Sequence, residues 1–322
     1  MIKMRKLLNL ALILTLTLTA ALAQQPSTNT PSINRLQQII AYLASDALEG
    51  RRTGTPGAND AAHYIAGEFS LLGLRPGMQM AGPARTRGEI RARYLQPFPY
   101  VASVELGKNN LLFVNTGRAD DTAQFLVDTD WMPLGFSSNG DVKNAEVAFA
   151  GYGISSAELK YDDYAVSNVK DRVAIVFEGT PDGHNPHGQF VTAGQIRFKA
   201  AAARAAGARA LLIVASEEKF KDDRLARLSY DNVGEAGIPI VVISRPLGTK
   251  LLGASDLKLA EKNADARTTI PAATKNQGEG LASPISASQI LRLPSRGLKL
   301  DLSINVVRRE TPSFNVVGIL PG

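Results

Sequence analysis

The 322-residue sequence contains no cysteine. This absence excludes disulfide bonds, thiolate metal ligands, a cysteine nucleophile and a lipid anchor attached through cysteine. It does not indicate the compartment, because a chain of this length can bury a hydrophobic core without covalent cross-links. Histidine is also scarce, with only His63, His184 and His187, so chemistry that needs several imidazoles has few candidates.

Long hydrophobic runs are missing beyond the N-terminus. Residues 1–6 are basic, residues 7–20 are apolar and uncharged, and Ala21 and Ala23 fit a small-x-small cleavage site. The apolar run is too short and too early to be a stable membrane span. We therefore predict a signal peptide over residues 1–23, export to the periplasm or beyond, and no membrane contact after signal cleavage. An uncleaved amphipathic anchor is the alternative.

The surplus of positive charge is small. Lysine and arginine number 36 against 30 acidic residues, which gives +6. Lys3, Arg5 and Lys6 lie in the predicted signal peptide, which has no acid, so +3 remains for the rest of the chain. This charge is too small and too dispersed to favour nucleic-acid binding. We predict no nucleic-acid partner.

Two helices are predicted at the start of the mature chain. Ser32 is a suitable N-cap for the first helix, and Thr55 followed by Pro56 is a suitable start for the second. In the first helix the apolar residues repeat at helical spacing, at Leu36, Ile39, Ile40 and Leu43. In the second helix the predicted buried face consists of Ile65, Phe69 and Leu72.

From Tyr94 onward the hydrophobic period changes to that of strands. The predicted strands are 94–98, 101–106, 111–115, 146–150, 172–177, 210–215, 238–243 and 298–307. The apolar runs at 173–177 and 211–215 do not alternate, so both of their faces should be covered. Helices are predicted at 197–206, capped by Gly207, and at about 246–252. Strands mixed with helices predict an α/β fold.

Catalytic motifs are hard to find in this sequence. His63 has the position of a solvated helix residue, although a metal-ligand role is the alternative. His184 and His187 lie in a loop rich in glycine and proline, where a solvent-facing role is favoured over metal binding. Of the adjacent acid pairs, only Asp162 with Asp163 merits a test. We assign no catalytic, cofactor-binding or metal-binding residue.

The last residues of the chain form a predicted strand and turn. Residues 315–320 are apolar enough for a strand, and Pro321 with Gly322 fits the centre of a type II turn. Such a turn implies a returning strand, and an unpaired apolar strand is an aggregation hazard. We therefore expect further residues beyond Gly322. In the alternative, the strand pairs with 298–307 and the terminus frays.

Several segments resemble, in the same order, those of exported bacterial zinc aminopeptidases. These are co-catalytic two-zinc exopeptidases with an inserted protease-associated domain. Residues 42–57, which read YLASDALEGRRTGTPG, are similar to the N-terminal signature of that family. The other similar segments are 147–154, 161–164, 169–176, 199–214, 238–243 and 313–322.

The resemblance implies a protease-associated β/α domain inserted into an incomplete α/β zinc-exopeptidase domain. It predicts that residues 32–98 are the N-terminal helices and first strand of the peptidase domain. Residues 99–297 would be the protease-associated domain with a poorly defined tail, and residues 298–322 would return to the peptidase domain.

The resemblance also implies the activity of a complete protein. Such a protein would remove N-terminal residues from peptide substrates, with two zinc ions holding an activated water. The family's zinc ligands follow the Leu-Pro-Gly turn, and nothing in this chain matches them. The chain is therefore expected to bind no catalytic zinc and to be inactive alone. The alternatives are a non-catalytic secreted protease-associated binding module and, more weakly, a periplasmic solute-binding protein, which would need two similar lobes.

Overall fold

The computed structural model describes residues 32–115, 122–165, 167–183, 185–215, 220–221, 227–252 and 298–322. The predicted signal peptide, His184 and most of the predicted tail before residue 298 lie outside these residues. The chain divides into two compact units. Unit 1 contains the described residues up to Gln96 together with Phe314–Gly322, and unit 2 is Pro97–Ser313.

The described residues form both helices and strands. The helices are α1 (Ile33–Leu43), α2 (Pro56–Leu71), α3 (Arg87–Ala92), α4 (Ile196–Ala205) and α5 (Arg245–Leu252), with a 3-10 segment at Asp46–Arg51. The strands are β1 (Arg75–Pro76), β2 (Leu95–Leu106), β3 (Leu111–Asn115), β4 (Thr122–Phe125), β5 (Trp131–Pro133), β6 (Gly140–Phe149), β7 (Ser155–Ser156), β8 (Tyr161–Asp162), β9 (Val173–Phe177), β10 (Ala210–Val214), β11 (Ile240–Ile243), β12 (Lys299–Ile304), β13 (Val306–Val316) and β14 (Gly318–Ile319). Among these helices, none has both the length and the apolar character needed to span a bilayer.

Helix α1 of unit 1 begins as the sequence predicts, at Ser32, whose side chain accepts a hydrogen bond from the Arg35 backbone. Its contacts with α2 include an ion pair between Arg35 and Glu68 (2.7 Å) and a ring contact between Tyr42 and Tyr64. None of its residues is buried. Of its predicted apolar stripe, Leu36 and Ile40 are exposed to solvent, whereas Ile39 and Leu43 are half-buried.

Helix α2 packs through its small residues. Ala61, Ala62 and Ala66 are buried, and the last two cluster with Tyr94 and Leu95. The predicted buried face differs: Ile65 and Phe69 are half-buried, and Leu72, which follows the helix, is 62% exposed. Alanines permit a close approach that branched side chains would block.

The start of α2 is held tightly against the preceding 3-10 segment. Leu48 is buried, and a Cβ added to Gly57 would lie 2.0 Å from the Leu48 carbonyl oxygen. Only glycine fits this backbone contact.

Unit 2 is built on an eight-stranded mixed sheet of order β4-β3-β12-β6-β9-β10-β11-β5. Strands β6, β9, β10 and β11 run parallel, and the other pairings are antiparallel. Every residue of β9, β10 and β11 is buried. This confirms the prediction that both faces of β9 and β10 are covered, and the mixed sheet with helices confirms the predicted α/β class.

Alternate residues of the central strands belong to two hydrophobic clusters. Ile175 and Leu212 share one cluster with Leu247 and Leu251 of α5. Leu211 and Ile213 share the other cluster with α4 residues such as Ala203. One helix therefore covers each face of the sheet.

The unit boundaries differ from the predicted domain boundaries. Strand β12 lies inside the large sheet, between β3 and β6, so residues 298–313 belong to unit 2 rather than to the first domain. The physical reason is its alternating apolar side, at Leu300, Leu302 and Ile304, which is buried in the core of unit 2. The chain leaves unit 1 after Gln96 and returns to it at Phe314.

Candidate functional site

The histidines of the described residues lie apart from any ligand cluster. His63 is exposed on α2, as predicted, and its ring centroid is 5.7 Å from that of Phe314. His187 is exposed in the loop before α4, where its backbone N–H donates to the Asn185 side chain. Within the described part of the chain, no three His, Asp or Glu side chains are grouped so that they could hold a metal ion.

The acid pair Asp162 and Asp163 is split between solvent and core. Asp162 is exposed, and its carboxylate accepts a hydrogen bond from the Tyr164 backbone N–H (2.9 Å). Asp163 is fully buried and lies on the opposite side of the chain. Of the two carboxylates, only that of Asp162 is therefore open to solvent.

Asp163 holds a turn together from the inside. Its Oδ2 accepts from the backbone N–H groups of Tyr152 (3.0 Å) and Ile154 (3.1 Å), and its Oδ1 accepts from the Tyr161 hydroxyl (3.0 Å). Gly151 has a φ of 53°, and a Cβ there would lie 2.6 Å from Asp163 Oδ1. The Gly-Tyr-Gly and Tyr-Asp-Asp-Tyr segments are thus two halves of one structural contact.

Tyr164 follows this acid pair along the chain. Burial raises the pKa of its hydroxyl, and the negative charges of Asp163 and Asp162 raise that pKa further. The side chain therefore stays neutral at any physiological pH. This excludes Tyr164 as a phenolate nucleophile or base.

Lys199 is a buried cation that sequence reasoning did not single out. It lies on α4 with 1% exposure, and its Nζ donates to the carbonyl oxygens of Phe177 (2.8 Å) and Gly179 (2.6 Å). Its Nζ is also 5.6 Å from the centroid of the Tyr152 ring. Lys199 thus ties α4 to the chain that leaves β9. The sequence signal that could have indicated Lys199 is its position as a lysine within the alanine-rich helix α4.

Two arginines fix a loop of unit 2 beside α4. Arg197 pairs with Asp231, donates to the Gly234 carbonyl (2.9 Å) and lies over the Phe136 ring. Burial opposes the charge on Asp231, but the hydrogen bonds from the Arg197 side chain and the Val233 backbone, together with the positive charge of Arg197, outweigh it, so the pKa of that carboxyl is lowered. Arg308 pairs with Glu235 (2.7 Å) and donates to the Gly135 carbonyl (3.0 Å). These contacts anchor the loop at residues 231–235.

A groove of about 600 Å³ runs between α4 and the β7–β8 hairpin. Its lining includes Ser155, Ser156, Leu159, Thr192, Phe198 and Ala202. A second hollow of about 370 Å³ shares Ser155, Ala202 and Ala205 with it and adds Asp162 and Lys170. Among the described residues that line the larger groove, Glu158 is the only charged side chain.

The groove offers apolar and hydrogen-bonding groups to a ligand. The face of α4 that lines the groove carries alanines, which leave space for a ligand, and Phe198, which is 52% exposed, forms an apolar wall. Hydroxyl and amide side chains along the rim can exchange hydrogen bonds with a ligand. Among the described residues that line the groove there is no histidine beside Ser155 or Ser156 to act as a base for a serine nucleophile.

Comparisons with known proteins give distant structural neighbours only. No family model and no curated protein matches the chain. Among solved structures, the chain is similar to a zinc aminopeptidase from Bacillus subtilis, at 15% identity and a TM-score of 0.28, over 87% of this chain and 45% of that one. It is also similar to a peptidase M28 precursor from Shewanella amazonensis, at 13% identity and a TM-score of 0.30, over 87% and 51%. The chain spans about half the length of these structures.

Proposed function

We propose that this chain is the N-terminal part of an exported zinc-dependent aminopeptidase. In this proposal unit 1 is the beginning of the peptidase domain, and unit 2 is a protease-associated domain inserted into it. The ordered motifs of the sequence support the proposal. So does the division of the chain, since unit 1 is made of two segments between which all of unit 2 is inserted.

The observation that carries the proposal is the open apolar face of α1. Ile33 is 73% exposed, Leu36 51% and Ile40 56%, although they repeat at the spacing of a buried stripe. A soluble domain normally covers such a stripe with another layer of secondary structure. An α/β peptidase domain would supply a sheet for this purpose.

Zinc has no site among the described residues, because they provide no group of three suitable ligands. We therefore assign no step of peptide hydrolysis to this chain. What its own residues can do is bind: the groove beside α4 offers an apolar wall and hydrogen-bonding groups to a peptide. The same groove favours the second candidate function, a secreted binding module without catalytic activity.

The test compares the chain with a version extended through the coding region that follows Gly322. Both proteins are purified with zinc, analysed for bound metal and incubated with leucine p-nitroanilide and short peptides. We expect the extended protein to bind zinc and release N-terminal residues, and a chelator to abolish this activity. Release of amino acids by the unextended chain, or two zinc ions per molecule of it, would contradict the proposal. A stop codon directly after Gly322 would favour the binding module.

Export is tested separately. The full coding sequence is expressed in a bacterial host, and the mass of the product is measured in the cytoplasmic, periplasmic and medium fractions. We expect a periplasmic or secreted protein that begins at Gln24. A product that stays in the cytoplasm with residues 1–23 attached would contradict export.

A further inference from the structure

Positive charge is concentrated in one segment of unit 1, residues 75–93. This segment contains Arg75, Arg85, Arg87, Arg91 and Arg93, and its only acid is Glu89. Its net charge is therefore +4, out of +6 for the whole chain. The excess positive charge is thus less dispersed than the composition alone indicated.

The segment folds into a loop whose two ends meet. The Met78 backbone N–H donates to the Arg93 carbonyl (3.0 Å), and the Arg93 guanidinium donates to the Gly82 carbonyl. Helix α3 takes up most of the stretch between Arg85 and Arg93, and a helix rises about 1.5 Å per residue. These arginines therefore lie within about 12 Å of one another, close to the Debye length of about 10 Å at 0.1 M salt, so that their charges repel.

The single acid of the loop is already engaged. The Glu89 carboxylate accepts from the backbone N–H groups of Arg85 and Thr86, and the Thr86 hydroxyl accepts from the Glu89 N–H (3.1 Å), which completes a capping box. Arg87 and Arg91 lie one helical turn apart, a spacing at which like charges destabilise a helix. Within the described residues, no acidic side chain forms an ion pair with either of them.

Apolar side chains are exposed in the same loop. Met80 is 53% exposed and Ile90 38%. Guanidinium groups pair with phosphate through two parallel hydrogen bonds, and the arginine stems can lie along apolar surface. A surface that combines arginines with exposed apolar residues has the character of a segment that lies in the membrane interface.

We propose that the loop at residues 78–93 binds the surface of a membrane that contains anionic phospholipid. The contact is peripheral, with the exposed guanidinium groups of Arg85 and Arg87 on the lipid phosphates and Met80 and Ile90 beside the acyl boundary. This amends the expectation, drawn from the sequence, of no membrane contact after signal cleavage. The proposal is independent of the peptidase function.

The test is sedimentation of the full chain with vesicles of phosphatidylcholine alone or of phosphatidylcholine and phosphatidylglycerol in equal parts. We expect binding to the anionic vesicles that falls as salt is added. Replacing Arg85→Gln and Arg87→Gln together should weaken this binding about 25-fold, since each basic residue near such a surface contributes about fivefold. The matched control, Lys108→Gln with Lys143→Gln, removes the same charge from exposed positions of unit 2 and should change binding less than twofold.

Each other outcome overturns the proposal. Equal weakening in both double variants would show that only net charge matters. Equal binding to neutral vesicles would assign the contact to the apolar N-terminal segment, which all variants share. Soluble polyglutamate and additional phosphatidylglycerol vesicles are each added as competitors to protein bound on anionic vesicles. If polyglutamate displaces the protein as well as the added vesicles do, at the same concentration of negative charge, the loop is a site for an acidic protein. Circular dichroism of each variant checks that the fold is retained.

Discussion

The two units of this chain use similar apolar patterns with opposite results. In unit 2, strands β9, β10 and β11 bury every residue, because a helix covers each face of the sheet. In unit 1, helix α1 carries a regular apolar stripe and buries none of its residues. A regular spacing of apolar residues therefore identifies a face that another element has to cover. Whether such an element is present depends on the rest of the fold.

The largest expected difference in the free energy of unfolding comes from truncating one leucine to alanine in each unit. Leu212 is fully buried and pairs with Ile175 and Val241, whereas Leu36 is half exposed on α1. Leu212→Ala should lower the free energy of unfolding by about 2–5 kcal/mol. Leu36→Ala should change it by less than about 0.5 kcal/mol.

Urea unfolding measures both variants. Fluorescence of Trp131, the only tryptophan, reports on unit 2, and far-ultraviolet circular dichroism reports on the whole chain. A loss above about 2 kcal/mol for Leu36→Ala would show that α1 is packed as a core helix and would remove the contrast between the units.

A smaller effect is expected at the buried carboxylate of unit 2. Asp163→Asn removes the negative charge and places an amide donor beside backbone N–H groups, so it should cost about 2–3 kcal/mol. Asp162→Asn, the matched control on the exposed neighbour, keeps an acceptor oxygen for the Tyr164 N–H and should cost less than about 1 kcal/mol. Equal losses for the two variants in the Trp131 assay would mean that Asp163 has no special structural role.

The smallest effect is expected at an exposed ion-pair network of unit 2. A hydrogen bond from Lys299 lowers the pKa of Glu146, and the positive charge of Arg172 lowers it further. Because the pKa of Glu146 is lowered in the folded state, its ionised carboxylate stabilises the folded protein at pH values above the ordinary pKa of 4.5. This stabilisation is lost as the pH falls through the lowered pKa of the folded state.

Replacing Glu146→Gln should therefore destabilise unit 2 slightly at neutral pH and have no effect in acid below both pKa values. Urea midpoints measured by Trp131 fluorescence across this pH range check the sign. A variant that destabilises more in acid than at neutral pH would contradict the assignment of the ion pair.

The sequence correctly predicted those elements whose local residue pattern is consistent with their position in the fold. Strands β9 and β10 were predicted within a residue at each end, because they are short apolar runs buried on both faces. Helix α4 was likewise predicted, with Gly207 at a φ of 81° after its end, a conformation that favours glycine.

The misses have identifiable physical causes. Strand β2 was predicted as two strands, 94–98 and 101–106, but it continues through Pro99. It pairs on one side only, with β13, where the missing N–H donor of a proline is tolerated. Strands β5, β7 and β8 have two or three residues each, too few to show a period.

The candidate site was less accessible to sequence reasoning than the fold. The acid pair was singled out, but only the structure shows that Asp163 binds Tyr152 and Ile154, because this contact joins residues about ten positions apart. The groove beside α4 forms because the face of that helix that lines it carries short side chains. Short side chains alone do not form a recognisable sequence motif.

Hydrogen exchange in the native state tests the contrast between the units most directly. The account predicts that backbone amides of α1 exchange orders of magnitude faster than those of β10, because α1 has no buried apolar contacts to oppose local opening. If the amides of Leu36–Leu43 were protected as strongly as those of Leu211–Val214, the apolar face of α1 would already be covered in this chain, and the central claim would be wrong.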